Sequence, residues 1–486
     1  MKRIPAVLLL LSALVLSAPA QSAALSPGAG CERWPLVLSA PAQDVAPVLE
    51  LRKGENYFRA AGVPRLVVGR NPTAMNPAAF AEHFKNMAAA GETFARIHFC
   101  HMPRDEKPGE ISAGMLKSWD ATLDAAEKYH IAVMPVFGVW SYWNDGTKGE
   151  AWHLWNTNPF NAANGGSAKS PAELFEPGTC RALWMKRLEA LVKHWQPRRN
   201  IVAWEIFSEL DLLTGSSEAK GTAFAVEAAK IIRDADPSHR PVTCSMSGVR
   251  EWPQLFKSDA LDFVEVHPYG DAGRGDLDEL ILKSVRERLA TYHKPVMIGE
   301  CGLDWRPPRG TLDTSDRGPV GIRHAIWAAM MSGAMNARAL WWQDGYDQFE
   351  KADLCSHYQK IATPAGQFVK DIDCAGLAPV NCTMSPGIFG AMLGSATNSA
   401  GQGRTIIGWF RDAKCVAPKW AMEPVKDQWA ELPAREGRWL VEFGDVESGK
   451  ILESKEVVTR DEKLRVALPE FCGSVAVRGV LQADGL

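Results

Sequence analysis

The sequence predicts an α/β chain: a (β/α)₈ TIM barrel followed by a smaller C-terminal antiparallel β-sandwich. Between about residues 65 and 372, short β-branched runs alternate with longer stretches of helical periodicity, the pattern of parallel strands joined by crossover helices. Eight such units can be counted, and eight close a barrel. After about residue 375 the pattern changes to short alternating runs separated by turn residues, which reads as antiparallel strands.

The expected barrel strands are residues 65–69, 93–99, 131–138, 200–207, 241–245, 261–267, 295–300 and 337–342. Helices are expected at 77–90, 113–129, 180–195 and 218–234, with a short one between the fifth and sixth strands and further ones after the seventh and eighth. A doubly wound open sheet also alternates, but it usually stops at five or six strands and carries a Gly-rich phosphate turn that is absent here. The third unit is unusual. Residues 139–179, rich in Trp, Asn and Gly, separate its strand from its helix, long enough to serve as a lid or cleft wall. Beyond the barrel, strands are expected at 405–410, 438–443, 451–457, 464–468 and 474–480.

The N-terminus carries an address. Lys2 and Arg3 precede an apolar run over residues 6–16 and then small residues, so residues 1–24 read as a signal peptide and the chain as secreted, periplasmic or extracellular. The domains expected after it are a barrel with its lead-in over 25–374 and the sandwich over 375–486. All 10 Cys follow the leader, and none shows CxxC spacing. Cys415 with Cys472 is one conceivable disulfide, and a pairing among Cys355, Cys374 and Cys382 another.

With a formal net charge of −3 on 486 residues and no basic run, the chain is a poor candidate for binding nucleic acid. Its 18 Trp are many, and flat apolar rings with a polar edge suit sugar faces as well as cores. No nucleotide, flavin or pyridoxal motif is present, so no cofactor is expected. His98 and His101 resemble metal ligands, but the first strand lacks a His-x-His, and no metal is expected. After loss of the leader no membrane association is expected; the partner is a poly- or oligosaccharide, and the chain is expected to be a monomer.

Active sites of such barrels form where strands end at their carboxyl side. The fourth strand runs Trp204-Glu205-Ile206-Phe207-Ser208-Glu209, and the seventh ends Met297-Ile298-Gly299-Glu300. Two carboxylates on opposite sides of one barrel mouth suit glycoside hydrolysis, one protonating the departing oxygen while the other attacks carbon or activates water. A separation of roughly 5 Å favours retention and roughly 6.5–9.5 Å inversion. Glu205, on the same strand, either faces the helices or closes a salt bridge within the barrel.

These segments, with His267-Pro268-Tyr269 after the sixth strand, resemble clan A glycoside hydrolases, family 5 most closely, over about residues 60 to 345. The resemblance implies that Glu209 is the acid/base and Glu300 the nucleophile. It implies that Arg96 and Tyr269 hold Glu300 ionised, and that His267 bonds a sugar hydroxyl or the acid/base. Trp341 or Trp342 would stack on the sugar, and Trp140, Tyr142, Trp143, Trp152, Trp155 and Trp305 would line or border a cleft, about half of them as packing. Two positions depart from the family. Ser208 stands where an Asn usually bonds the sugar 2-hydroxyl, and the His expected near the end of strand three is missing, so that His98 or His101 would substitute. The reading is a retaining β-glycosidase; the alternative is a carbohydrate-binding barrel that has lost turnover.

Overall fold

The computed structural model describes residues 49–484 except 75, 101, 103–105, 148–152, 271–276, 303–319, 338–351, 396–403 and 417–418. The leader, His101, Trp152, Trp305, Trp341 and Trp342 lie outside the described residues.

Eight β/α units follow one another along the chain. The strands are β1 (Val67–Arg70), β2 (Phe94–His98), β3 (Ala132–Val136), β4 (Trp204–Glu205), β5 (Val242–Thr243), β6 (Val264–Val266), β7 (Val296–Ile298) and β8 (Asn336–Ala337). The helices are α1 (Pro77–Ala89), α2 (Ala113–Lys128), α3 (Thr179–Trp195), α4 (Glu218–Ala235), α5 (Pro253–Lys257), α6 (Leu277–Tyr292), α7 (Val320–Ser332) and α8 (Ala352–Val369). Local chemistry starts several of them. Asn76, Ser112 and Ser217 each accept from a backbone N–H three residues on, which satisfies one of the first-turn donors of α1, α2 and α4. Helix α6 was not foreseen in the sequence. Six of its sixteen residues are Glu, Asp, Lys or Arg between apolar positions, and Asp278 and Arg288 are buried, which blurs its apolar stripe.

Parallel pairing runs in the order β8-β1-β2-β3-β4-β5, and β6 pairs with β7. Two seams complete the ring. Between β5 and β6, Asp262 N–H donates to Val242 O at 2.9 Å, and Ser245 bridges Glu265. Between β7 and β8, Met335 N–H donates to Val296 O at 2.9 Å, and the Asn336 side-chain amide bonds both the N–H and the carbonyl of Ile298 at 2.8 Å. A side chain thus takes the part of a strand at that seam.

A three-stranded antiparallel lead-in (Leu49–Glu50, Phe58–Ala60, Val63–Arg65) precedes β1. Its Leu49 and Phe58 cluster with Val67, Phe94, Met134, Phe263, Met297 and Met335, an apolar plug drawn from inward positions of β1, β2, β3 and β7 and from Phe263 and Met335, just before β6 and β8. The loop over 139–179 is tethered rather than loose. Its described residues contain four short 3₁₀ turns, and Trp143 and Trp155 are buried in the main core, so both are packing and not cleft wall.

The C-terminal strands are β9 (Leu377–Pro379), β10 (Thr383–Met384), β11 (Ile388–Ser395), β12 (Thr405–Asp412), β13 (Pro424–Val425), β14 (Trp429–Pro433), β15 (Gly437–Asp445), β16 (Ile451–Thr459), β17 (Lys463–Ala467), β18 (Phe471–Cys472) and β19 (Ser474–Asp484). A six-stranded sheet, β9-β11-β12-β19-β15-β16, faces a three-stranded one, β10-β14-β17, across a shared core that includes Phe410, Leu432, Trp439, Phe443 and Val466. The other face of the large sheet lies on α7, whose thirteen residues are all buried; His324 of that helix packs on Trp409, ring centroids 5.3 Å apart. Arg411 of β12 reaches Asp278 of α6 at 2.6 Å and Glu279 at 2.8 Å. The conceived disulfides are not formed. Cys374, Cys382, Cys415 and Cys472 are free thiols, and Cys415 Sγ instead contacts Met422 Sδ at 3.8 Å.

Candidate active site

Residues two apart on a strand share a face. On β2 and its ends, Phe94, Arg96 and His98 therefore climb the barrel interior together, and around β6 so do Phe263, Glu265, His267 and Tyr269. The apolar plug occupies the lowest level. Above it sits a charged layer centred on Arg96, and above that the mouth, with Glu209, His267, Tyr269 and Glu300.

Arg96 is buried, and each arm of its guanidinium is engaged. Nε donates to Glu205 Oε2 at 2.6 Å and Nη2 to Glu205 Oε1 at 2.8 Å, a bidentate pair. Nη2 also donates to Ser208 Oγ at 3.0 Å, and Nη1 donates to Glu300 Oε1 at 2.9 Å. Glu205 thus closes a salt bridge inside the barrel and does not face the helices. Its other neighbour is Ser245, whose hydroxyl donates to Glu205 Oε1 at 2.9 Å and accepts from Glu209 N–H at 3.1 Å.

Glu209 sits just past β4 with φ 58°, in the left-handed region, which costs a non-glycine residue roughly 1–3 kcal/mol. The Ser245 hydroxyl and the bond from Leu210 N–H to Ser245 O at 3.1 Å hold that conformation. Two residues after Glu209, Asp211 is fixed by Ser247 N–H at 2.7 Å and Arg250 Nη1 at 3.0 Å. The Glu209 side chain turns to His267, whose Nδ1 lies 2.9 Å from Glu209 Oε1. Across the mouth, Glu300 accepts from Tyr269 Oη at 2.7 Å on Oε2 and from Arg96 on Oε1. His98 Nε2 lies 3.8 Å from Glu300 Oε1.

The two mouth carboxylates are pushed in opposite directions. Burial raises Glu209 above the usual carboxylate range, and the Glu300 charge adds to this against the opposing His267 bond. Burial acts on Glu300 in the same sense, but His267, Arg96 and His98, with the Tyr269 hydroxyl, outweigh it and hold Glu300 down to about 2. His267 is pulled the other way. Burial opposes its charge, yet Glu300, Glu209 and Glu265 together carry it up to about 10. Burial, with Arg96 next, drives His98 down to about 3, so that ring is neutral. Below the mouth, burial, only partly offset by Arg96 and reinforced by Glu265, pushes Glu205 up to about 7.

The structure therefore brings together Arg96, His98, Ser208, Glu209, His267, Tyr269 and Glu300. Ser208 is present but turned inward, its hydroxyl engaged by Arg96 and 1% of the residue exposed. Trp140 is half-buried in the 3₁₀ turn after β3, tied to the neighbouring strand end by its N–H to Ser208 O at 3.3 Å. Tyr142 is likewise half-buried.

Two triads, Glu205 with Glu265 and His267, and Glu209 with His267 and Glu300, bring donor atoms within 4.8 Å of one another, the spacing of a metal cage. Arg96 lies against Glu205, Glu265 and Glu300, so a guanidinium already supplies the positive charge there. Glu265, Ser245 and Gly299 were not singled out in the sequence. The signal for Glu265 was present, since it stands two residues before His267 on the same strand and must share its face.

No family model matches the chain, and no curated protein matches its sequence. Solved structures match its shape. A glycoside hydrolase family 5 protein from Bacteroides vulgatus superposes with a TM-score of 0.61 at 12% identity, over 90% of this chain and 94% of that one. Another structure, described as a glycoside hydrolase, gives 0.59 at 11% identity over 90% and 98% of the two chains. Such a share exceeds what the first 374 residues supply, so the likeness runs on into the C-terminal sheets. The chain thus shares its fold, barrel and C-terminal sheets together, with a structure of glycoside hydrolase family 5 and with a second structure described as a glycoside hydrolase.

Proposed function

We propose that the chain is a secreted, retaining β-glycoside hydrolase that cleaves β-linked poly- or oligosaccharide by double displacement. The observation that carries this reading is the mouth pair. Oxygens of Glu209 and Glu300 come within 4.8 Å of each other. That spacing favours direct attack by a carboxylate over attack by an interposed water, which calls for roughly 6.5–9.5 Å.

In the first step Glu300, kept anionic by Arg96 and Tyr269, attacks the anomeric carbon. Glu209, whose protonated form burial favours, gives its proton to the departing oxygen. Once Glu300 is esterified its negative charge is gone, Glu209 loses a proton more readily, and it takes one from the water that releases the sugar. Export rests on the basic, apolar and small-residue succession over residues 1–24. The likeness to family 5 structures agrees with the chemistry.

The test is reducing-sugar release from β-linked glucans, mannans, xylans and galactans by wild type and by Glu300→Gln, with the anomeric configuration of the first product read by proton NMR. Release with retention, lost in the variant, supports the reading; release with inversion sinks the double displacement. One observation favours a second reading, a carbohydrate-binding barrel without turnover: Ser208, where a sugar-bonding Asn was expected, has its hydroxyl on Arg96. Glycan binding by both proteins with no release from any polymer would select it.

A further inference from the structure

Glu265 is buried beneath the mouth, and among the described residues neither of its oxygens has a hydrogen-bond donor. A carboxylate in that condition costs several kcal/mol unless a partner compensates it. Arg96 supplies only part of the compensation. Its Nε lies 3.0 Å from Glu265 Oε1, but that N–H is directed to Glu205, and the other donors go to Glu205, Ser208 and Glu300. The group left facing Glu265 is Nε2 of His267, 3.7 Å away, itself buried and without a hydrogen-bond partner. The separation is too long for a direct bond and short enough to close by a small rotation or through one water.

The backbone opposite is shaped for this pair. A Cβ on Gly299 would stand 1.9 Å from Glu265 Oε1 and 2.7 Å from His267 Nε2. No side chain larger than hydrogen fits there while both keep their places. The other ring nitrogen, Nδ1, is the one 2.9 Å from Glu209. The imidazole therefore spans two carboxylates, Glu265 below and Glu209 above.

We propose that Glu265 is a positioning residue: it braces His267 as an imidazolium whose Nδ1–H is aimed at Glu209. The inference rests on the glycosidase reading for its purpose. An imidazolium cannot accept at Nδ1, so it donates to Glu209 Oε1, and the acidic proton of Glu209 stays on Oε2, free for the departing oxygen. A neutral ring accepting at Nδ1 would draw that proton away from the substrate. The charged and titratable groups around the ring are Arg96 and His98 from β2, Glu205 and Glu209 from β4 and its end, Tyr269 beyond β6 and Glu300 after β7. Of the acids among these and Glu265 itself, Glu265 faces Nε2 at close range and neither attacks nor protonates substrate.

The experiment is a histidine titration on the full chain labelled with carbon-13 at its histidine rings, with His267→Asn assigning the resonance. Wild-type His267 is expected to stay an imidazolium past about pH 8, and Glu265→Gln to lower its midpoint by at least about one unit. A wild-type ring that is neutral at pH 7, or a midpoint unmoved in a folded Glu265→Gln protein, overturns the proposal; the first of these needs no variant. On a substrate that the wild type hydrolyses, the alkaline limb of kcat/KM should move to higher pH in Glu265→Gln, because Glu209 loses its cationic neighbour. A uniform drop at every pH with the limb in place would mark Glu265 as merely structural. Absence of hydrolysis by wild type sinks the glycosidase reading, and the titration still decides the role of Glu265.

Discussion

Tyr269 donates its hydroxyl to Oε2 of Glu300 at 2.7 Å, on the oxygen that Arg96 leaves open. A hydrogen bond to a charged group is worth about 1.5–3 kcal/mol. Tyr269→Phe is therefore expected to lower kcat/KM roughly 10- to 100-fold. Because the lost bond favoured the ionised form, the Glu300 midpoint rises and the acid limb of the pH profile moves toward neutrality. A profile that drops without moving would assign Tyr269 to substrate binding instead.

Arg96→Met tests the charged layer. It leaves Glu205, Glu265 and Glu300 buried without their shared cation. The expected loss of stability is about 3–5 kcal/mol at pH 8. It should shrink below pH 4.5, where Glu205, pushed up to about 7, is protonated and has no charge to compensate. Urea denaturation at the two pH values measures both.

Gly299→Ala should cost about 1–3 kcal/mol as an overpacked site, since the added carbon meets Glu265 and His267 rather than a yielding surface. Activity should fall further than stability, because the displaced ring is the one that orients Glu209. Equal wild-type activity in a folded Gly299→Ala chain would show that the pair tolerates movement.

The site groups also set a pH signature for unfolding. Glu300, held down to about 2, adds stability as pH rises from 2 to its ordinary value of 4.5 and loses it on the way back down. Glu205, raised to about 7, takes stability away as pH rises from 4.5 to 7. His267, raised to about 10, contributes fully below 6.5, and that contribution is lost as pH climbs to 10. The site's contribution is thus greatest near pH 4.5. In scans at closely spaced pH, the melting temperature lost on going from pH 5 to 9 should be smaller in Glu205→Gln than in wild type.

Deleting residues 376–486 should yield an insoluble barrel. The deletion uncovers the face of α7 that packs on the large sheet, strips buried Arg323 and His324 of their partners Glu447 and Trp409, and removes the Arg411 partner of buried Asp278. A soluble, folded barrel with weaker polymer binding would point to a sugar-binding accessory domain.

Much of the barrel was legible because its strands are β-branched runs bounded by helical periods, and each expected strand overlaps an observed one. The candidate residues at strand ends came from the same logic, and the structure places Arg96, Tyr269 and His267 around Glu300. Helix α6 was missed where buried charge interrupts the stripe. The short C-terminal strands β9, β10, β13, β14 and β18 were missed too, along with β11, where Gly390 and Gly394 and a half-buried face weaken the alternation. The inward turn of Ser208 was not legible, because which way a hydroxyl points is decided by Arg96, contributed from more than a hundred residues away.

Helix α7 is buried on every side, and its two covers are made at different times. The barrel strands and helices before it emerge from the ribosome first, while β11 and β12, which lie against its outer face, emerge more than fifty residues later. Until then the outer face of that helix has no cover. A frameshift or proteolytic nick in the last quarter is therefore expected to disable a site whose described residues all come from the first two-thirds of the chain.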